Sequence, residues 1–391
     1  MGARADHGRT GQRWRVRNAR GFVLQSAHRR SGDTNNAEGD VREQGLAPIA
    51  LWQIWDLPEG CTFKPLERGG YNNFLYRLYH GEKALPFVLR AYGNHANPRY
   101  IHHELSVLAH LARQALPFAL PLPIPTRRGE SYALVDDGRT LWLLVLLPFI
   151  PGVNPDPADV AQAEGAAHAL GLLHRALATL EPYGLSLPQP YIELGRVHPL
   201  VPEPLRAMHQ LAPLAPPEDI AYVNAILLRI EQARTQIRRL PHQIIHGDFI
   251  PGNVLMEGAR VSGVLDFENC AFNPRAMDLA IAVDAWCWDV LGTGEEWARI
   301  VALCRGYARA QALREEELAL MPVLILLRNA SVLMHLIGRF LANTTPYVDV
   351  EHWIAGLRRV DGWLTLHGQR FITLLKREVL QARETPVGAS H

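Results

Sequence analysis

Between Ile244 and Glu268 the sequence reads IIHGDFIPGNVLMEGARVSGVLDFE, and three of its side chains can do chemistry together: Asp248, Asn253 and Asp266. Strand-like residues on both sides of Gly258 predict a hairpin. With the turn centred on Ala259-Arg260, antiparallel pairing sets Asn253 opposite Asp266, at the roughly 4.5–5.5 Å Cα separation of opposed residues. An amide oxygen and a carboxylate held side by side suit one hard cation. Asp248, on the connecting loop, is left free to act as a base. A carboxylate that takes a hydroxyl proton, beside two oxygen ligands that hold magnesium on a triphosphate, is the equipment of phosphoryl transfer. Each residue alone is an ordinary loop former. The ordered set is what argues for chemistry.

The elements that must position these residues follow from periodicity. Phe74–Tyr79 and Phe87–Tyr92 read as strands around a His80-Gly81 turn, and Ser131–Val135 and Thr140–Leu147 as strands around an Asp137-Gly138 hairpin turn. Tyr100–Gln114 carries a helical apolar stripe at Ile101, Leu105, Leu108, Leu111 and Ala112. Beyond Pro157 the pattern is mainly helical, at Ala158–Ala178, Trp297–Gln311, Glu315–Leu341 and His352–Arg377. The expected class is α+β, with two lobes: residues 46–147, then a proline-punctuated hinge at 148–152, then 153–391. Residues 1–45 hold nine arginines and five acids without apolar periodicity, and are expected to form a flexible arm. The acids count against a transit peptide, and no secretory apolar core appears.

Composition removes other classes. Forty basic residues against 39 acidic ones give a formal charge of +1, so no global field draws the chain to nucleic acid. Apolar runs such as Leu141–Ile150 fall short of the roughly 18–20 residues of a membrane span. Cys61, Cys270, Cys287 and Cys304 are scattered, without a CxxC pair, which fits a reducing cytoplasm. His102, His103 and Glu104 are neighbours on a predicted helix, where adjacent side chains diverge by about 100°, so no shared metal is expected there.

HGDFIPGN followed by VLDFE resembles the catalytic and metal segments of the aminoglycoside phosphotransferase and choline kinase group, small-molecule kinases with a protein-kinase-like fold. The resemblance implies a bilobal fold with a small β-rich nucleotide-binding lobe and a mainly helical catalytic lobe. It implies Asp248 as the base, Asn253 and Asp266 as magnesium ligands, and Asp278 as support for the loop. LLPFIPG, Leu146–Gly152, resembles the inter-lobe hinge, so the backbone at Leu147 and Phe149 is expected to meet adenine. His174, in a helix similar to the one that follows the hinge in the family, is expected to be packed rather than catalytic.

The small lobe departs from the protein-kinase pattern. Its candidate phosphate loop, Glu67–Asn73, offers Gly69 and Gly70 rather than GxGxxG, and an ordinary hairpin turn is the competing reading. Lysines occur only at 64, 83 and 376, and the strand that should carry the phosphate lysine has Arg90. Arginine keeps the charge and can hold phosphate through two donors, with Glu104 as its expected partner. The alternative is an exposed Arg90.

Asp278–Asp289 and Leu327–Leu341 resemble the corresponding stretches of homoserine kinases of this fold. An amino-acid alcohol needs a cation for its carboxylate, Arg328 or Arg339, and an acid for its ammonium, Asp284 or Asp289. Tyr71 and Asn72 are candidates to reach the substrate. The expectation is an ATP- and magnesium-dependent kinase of a small-molecule hydroxyl, with homoserine leading. A kinase for an amino sugar, aminoglycoside or other metabolite is the alternative, and a nucleotide-binding pseudokinase is the reading outside the enzyme class.

Overall fold

A computed structural model describes residues 15–17, 46, 49–66, 74–92, 98–136, 141–182, 188 and 190–380, with 15–17 and 98–100 described by backbone alone. Gly69, Gly70, Tyr71, Asn72 and the Asp137-Gly138 turn lie outside the described residues. The chain divides into two compact units, 1–97 with 123–149, and 98–122 with 150–391.

The first unit is built on a six-stranded antiparallel sheet. In chain order its strands are β1 (Arg15–Arg17), β2 (Thr62–Pro65), β3 (Phe74–His80), β4 (Lys83–Tyr92), β5 (Ala133–Asp136) and β6 (Leu141–Pro148). The spatial order is β1-β5-β6-β4-β3-β2. Tyr76, Leu78, Leu89, Ala91, Leu144 and Leu146 build the core together with Leu51 and Trp55. Two expectations are corrected here. Arg15–Arg17, inside the expected flexible arm, pairs with Leu134–Asp136. A sheet edge offers unpaired N–H and C=O groups to any extended backbone, so this strand needs no apolar period. Lys83, which lies outside the strand expected at Phe87–Tyr92, opens β4, because the ladder runs down to His80↔Lys83.

The second unit is mainly helical. It begins with α1 (Pro98–Leu111), a helix expected in the first lobe. Val107, Leu108 and Leu111 instead join Phe118, Leu120, Leu170 and Leu173 in the large core, and His103 Nε2 meets the Cys270 carbonyl at 2.5 Å. Then follow α2 (Val160–Leu177), α3 (Pro204–Gln210), α4 (Pro217–Arg239), β7 (His242–Ile245), β8 (Val254–Glu257), β9 (Arg260–Val264), β10 (Ala271–Pro274), α5 (Ala276–Cys287), α6 (Glu296–Ala308), α7 (Glu315–Ala319), α8 (Met321–Leu341) and α9 (Tyr347–Leu380). Glu315–Leu341, expected as one helix, is broken before Pro322, which sits in the first turn of α8. α8 is long and apolar enough to cross a membrane by length and composition, but 67% of its most apolar stretch is buried, as suits a core helix.

Two helices set the frame for the site. Asp159 caps α2, its Oδ1 accepting from Ala161 N and Gln162 N at 2.9 and 3.3 Å. α2 packs on α6 through small residues, Ala167 and Gly171 against Gly306 and Ala310. A methyl added at Gly306 would collide with the Glu164 carbonyl oxygen, a backbone atom that cannot swing aside. Gly306→Ala should therefore part the helices and destabilise the protein by about 1–3 kcal/mol, the range for overpacking. Urea unfolding of the variant beside wild type checks this.

Candidate active site

β7 pairs antiparallel with β10, from Ile245↔Ala271 to His242↔Pro274. Where β7 ends, His246, Gly247 and Asp248 turn back across the start of α5. Gly247 takes φ +82, and a Cβ there would strike the Asn269 carbonyl oxygen, so glycine is required. Asp278, fully buried near the start of α5, holds this turn with both oxygens. Oδ2 accepts from His246 N at 2.7 Å and Oδ1 from Gly247 N at 2.8 Å. His174 adds a third bond, Nε2 to Asp278 Oδ2 at 2.9 Å, while its Nδ1 meets Tyr307 Oη at 2.9 Å. Burial pushes the Tyr307 phenol well up, so it stays an O–H donor to His174. The α2–α6 contact thus ends on the carboxylate that shapes the loop.

His246 links the loop to the hairpin. Its Nδ1 accepts from Asp248 N at 3.2 Å and its Nε2 donates to the Leu265 carbonyl at 2.9 Å. The hairpin register differs from the expected one. Glu257 pairs with Arg260, so the turn is Gly258-Ala259, and an irregularity between Leu255 and Met256 shifts the ladder to Val254↔Val264. Asn253 therefore opposes Leu265, not Asp266, and it closes the short turn Pro251–Asn253 rather than lying in β8. Leu265 N donates to the Asn253 carbonyl at 2.9 Å. Leu265 is thus clamped between Asn253 and His246, and the next residue, Asp266, leaves the ladder at φ 63. A non-glycine in the left-handed region stores strain, and such residues cluster at functional sites. Asn154 Nδ2 reaches the carbonyls of Pro251, Gly252 and Val254 at 3.0–3.2 Å and fixes the turn from the other side.

Asp248 is part-buried and engaged at both oxygens. Asn253 Nδ2 donates to its Oδ2 at 3.1 Å and to its backbone carbonyl at 2.9 Å, and Arg328 Nη2 donates to its Oδ1 at 2.8 Å. With the Asn253 amide nitrogen turned to Asp248, its oxygen is the atom left to ligate. One amide oxygen and the Asp266 carboxylate fit a hard divalent cation that keeps water and phosphate oxygens in its other positions. Among the described residues no group of three or more His, Cys, Asp and Glu is set to hold a metal by itself.

Around Asp248 lie residues that sequence reasoning missed. Tyr191 Oη donates to the Gly247 carbonyl, Tyr191 N donates to Asn273 Oδ1 at 2.9 Å, and the Arg328 guanidinium lies 5.9 Å over the Tyr191 ring. Burial pushes the Tyr191 phenol up. Burial opposes the charge on Arg328, but Tyr191, Asp248 and Asp284 outweigh it and hold its pKa above the ordinary value. Asp284, on α5, accepts from Asn329 Nδ2 at 2.9 Å, and burial raises its pKa to about 6 against the pull of Asn329, Arg328 and Arg359. No short motif marks Tyr191 or Asn329.

Other expected site residues stand elsewhere. Asp289 forms an ion pair with Arg299 at 2.6 Å and is 62% exposed. Arg339 follows Arg328 by eleven residues on α8, a rise of about 16 Å, and bonds the Thr344 carbonyl. Neither is brought to Asp248. Arg90 is buried on β4, its guanidinium 4.8 Å over the Tyr92 ring, so the exposed alternative falls away. Glu104 is buried in the second unit. Leu147 pairs with Val88, and the Phe149 N–H, expected to meet adenine, already donates to the Pro86 carbonyl at 2.9 Å. The β4–β6 ladder runs one residue further than its apolar pattern suggests.

Comparison with known proteins places the chain in a family. The model of a phosphotransferase enzyme family matches residues 62–316. A homoserine kinase of Rhodopseudomonas palustris (strain HaA2) is 30% identical over 292 residues, 73% of this chain and 81% of that protein. A homoserine kinase of Beijerinckia indica subsp. indica is 28% identical over 281 residues, 69% of this chain and 78% of that protein. Among solved structures, an amicoumacin kinase in complex with AMP-PNP and Ca2+ superposes with a TM-score of 0.61 at 17% identity, covering 83% of this chain and 93% of its own.

The raised pKa of Asp284 gives a pH dependence. The folded state holds its proton up to about pH 6, whereas the unfolded chain releases it near 3.8. Its contribution is therefore complete below pH 3.8 and is lost as pH rises through about 6. Asp284→Asn should lose less stability than wild type between those limits, as read by denaturant unfolding across pH 4–7.

Proposed function

The chain belongs to the phosphotransferase enzyme family and is a small-molecule kinase, and on that premise we propose that it transfers the γ-phosphoryl group of ATP to the hydroxyl of homoserine with magnesium. The observation that supports this most is the Asp248–Arg328 pair next to the Asp284–Asn329 pair. Arg328 and Asn329 are consecutive on α8. They bring to one turn a base for the hydroxyl, a guanidinium for a carboxylate, and a half-buried acid for an ammonium. The names of the two homoserine kinases, at 28–30% identity over most of their length, support the same acceptor.

In this reading Asp248 accepts the hydroxyl proton as the acceptor oxygen bonds the γ-phosphorus, and ADP departs with the electron pair of the broken P–O bond. Asp278, through the His246 and Gly247 amides, keeps Asp248 where the hydroxyl arrives. Asn253 and Asp266 would hold the magnesium, which when bound neutralises charge on the phosphates. In the first unit Arg90 is the candidate cation for phosphate, and the proposal needs nothing from Glu104.

Asp248→Asn should fold and bind ATP but lose turnover by a factor of about 10²–10⁴, the usual worth of a general base. Asp266→Ala should weaken magnesium-dependent nucleotide binding more than Asn253→Ala, because it deletes the charged ligand. A coupled ADP assay with homoserine, threonine, choline, amino sugars and aminoglycosides tests the acceptor. Turnover confined to amino sugars would replace homoserine, and no turnover with any alcohol would favour a nucleotide-binding pseudokinase.

A further inference from the structure

We propose that Arg328 is a latch on the base, released only by an acceptor that carries a carboxylate. The inference rests on the amino-acid alcohol reading above and adds how the acceptor is selected. Both oxygens of Asp248 are engaged, Oδ2 by Asn253 Nδ2 at 3.1 Å and Oδ1 by Arg328 Nη2 at 2.8 Å. The guanidinium N–H takes one lone pair of Oδ1 and the space beside it, so a hydroxyl reaches Oδ1 only in competition with Arg328.

Arg328 itself has capacity to spare. Among the described residues its guanidinium makes that one hydrogen bond, with the Tyr191 ring beside it and the Asp284 carboxylate near enough to favour its charge. A guanidinium carries five N–H donors in a planar fork, and its preferred partner is a carboxylate bound through two of them. Asp248 is bound through only one. An arriving carboxylate that engages the fork bidentately competes for the guanidinium and draws it from Oδ1. Asn329, one residue along α8, holds Asp284, which stands ready for the ammonium of the same molecule.

Release and transfer then form one sequence. The acceptor carboxylate takes Arg328, and Asp248 Oδ1 takes the hydroxyl proton. The hydroxyl oxygen bonds the γ-phosphorus, and the bond to the β–γ bridging oxygen breaks, leaving its electron pair on ADP. Water, or an alcohol without a carboxylate, meets a base that is still latched. One contact thereby restrains both futile ATP hydrolysis and transfer to the wrong alcohol.

The test compares wild type, Arg328→Met and Arg328→Lys in three reactions with ATP and magnesium. These are transfer to homoserine, transfer to 3-aminopropan-1-ol (homoserine without its carboxylate), and hydrolysis with no acceptor. In Arg328→Met, kcat/KM for homoserine should fall roughly tenfold to a hundredfold, the worth of a lost charge-assisted contact. In the same variant kcat for 3-aminopropan-1-ol and acceptor-free hydrolysis should rise. Arg328→Lys, which keeps the charge but not the fork, should hydrolyse ATP more slowly than Arg328→Met while its KM for homoserine stays raised.

A fall in all three rates in Arg328→Met overturns the latch, because Arg328 would then support the base. An unchanged homoserine rate overturns it too. If wild type does not use homoserine, the acceptor reading fails separately, and acceptor-free hydrolysis still decides the latch: a rise in Arg328→Met upholds it and any other result ends it. Should Arg328→Met not fold, the same comparison between Arg328→Lys and wild type decides.

Discussion

One buried carboxylate organises the candidate site. Asp278 accepts the His246 and Gly247 amides and is itself tied to His174, which Tyr307 fixes from α6. In a buried, low-dielectric interior each of these bonds is worth more than at a surface, and losing one leaves a partner uncompensated. The carboxylate therefore turns the packing of α2 on α6 into the position of Asp248. His246 then carries that position across to Leu265, and so to Asp266.

Much of this was legible in the sequence, and the reasons for the rest are physical. HGDFIPGN and LDFE named the candidate base and the two candidate ligands, because side-chain chemistry and order are properties of sequence. The hairpin was found but its register was misjudged by one residue. The turn lies one position earlier than expected, a slip of two residues, and a ladder irregularity at Leu255/Met256 that leaves no mark in an apolar pattern recovers one of them, so Leu265 opposes Asn253. Asp266 and Asn253 are kept close by the clamp on Leu265 rather than by facing each other in the ladder. Tyr191 lies 57 positions before Asp248 in the chain, and nothing local announces that its hydroxyl will cap the Gly247 carbonyl. α1 went to the wrong unit because an apolar stripe tells which face is buried, not against what.

The substrate candidates show the same limit. Four charged residues of the right type stood in two stretches of sequence, and composition alone could not rank them. Arg339 and Asp289 have the chemistry but not the place, one bonded near the end of its helix and the other paired with Arg299. Arg328 and Asp284 are set apart by what they meet: Arg328 bonds Asp248, and Asp284 bonds the residue next to Arg328. Specificity in this reading comes from contacts between α5 and α8 made beside the base.

The claim that Asp278 shapes the catalytic loop is tested most directly by amide hydrogen exchange in Asp278→Asn. The carboxamide keeps the size of the side chain but offers one acceptor where two backbone N–H groups need one each. Exchange at His246 or Gly247 should speed up by at least about tenfold relative to the Ile245 amide in the ladder, with turnover falling in the same variant. Unchanged protection at both His246 and Gly247 would contradict the account, because the loop would then be held by something other than Asp278.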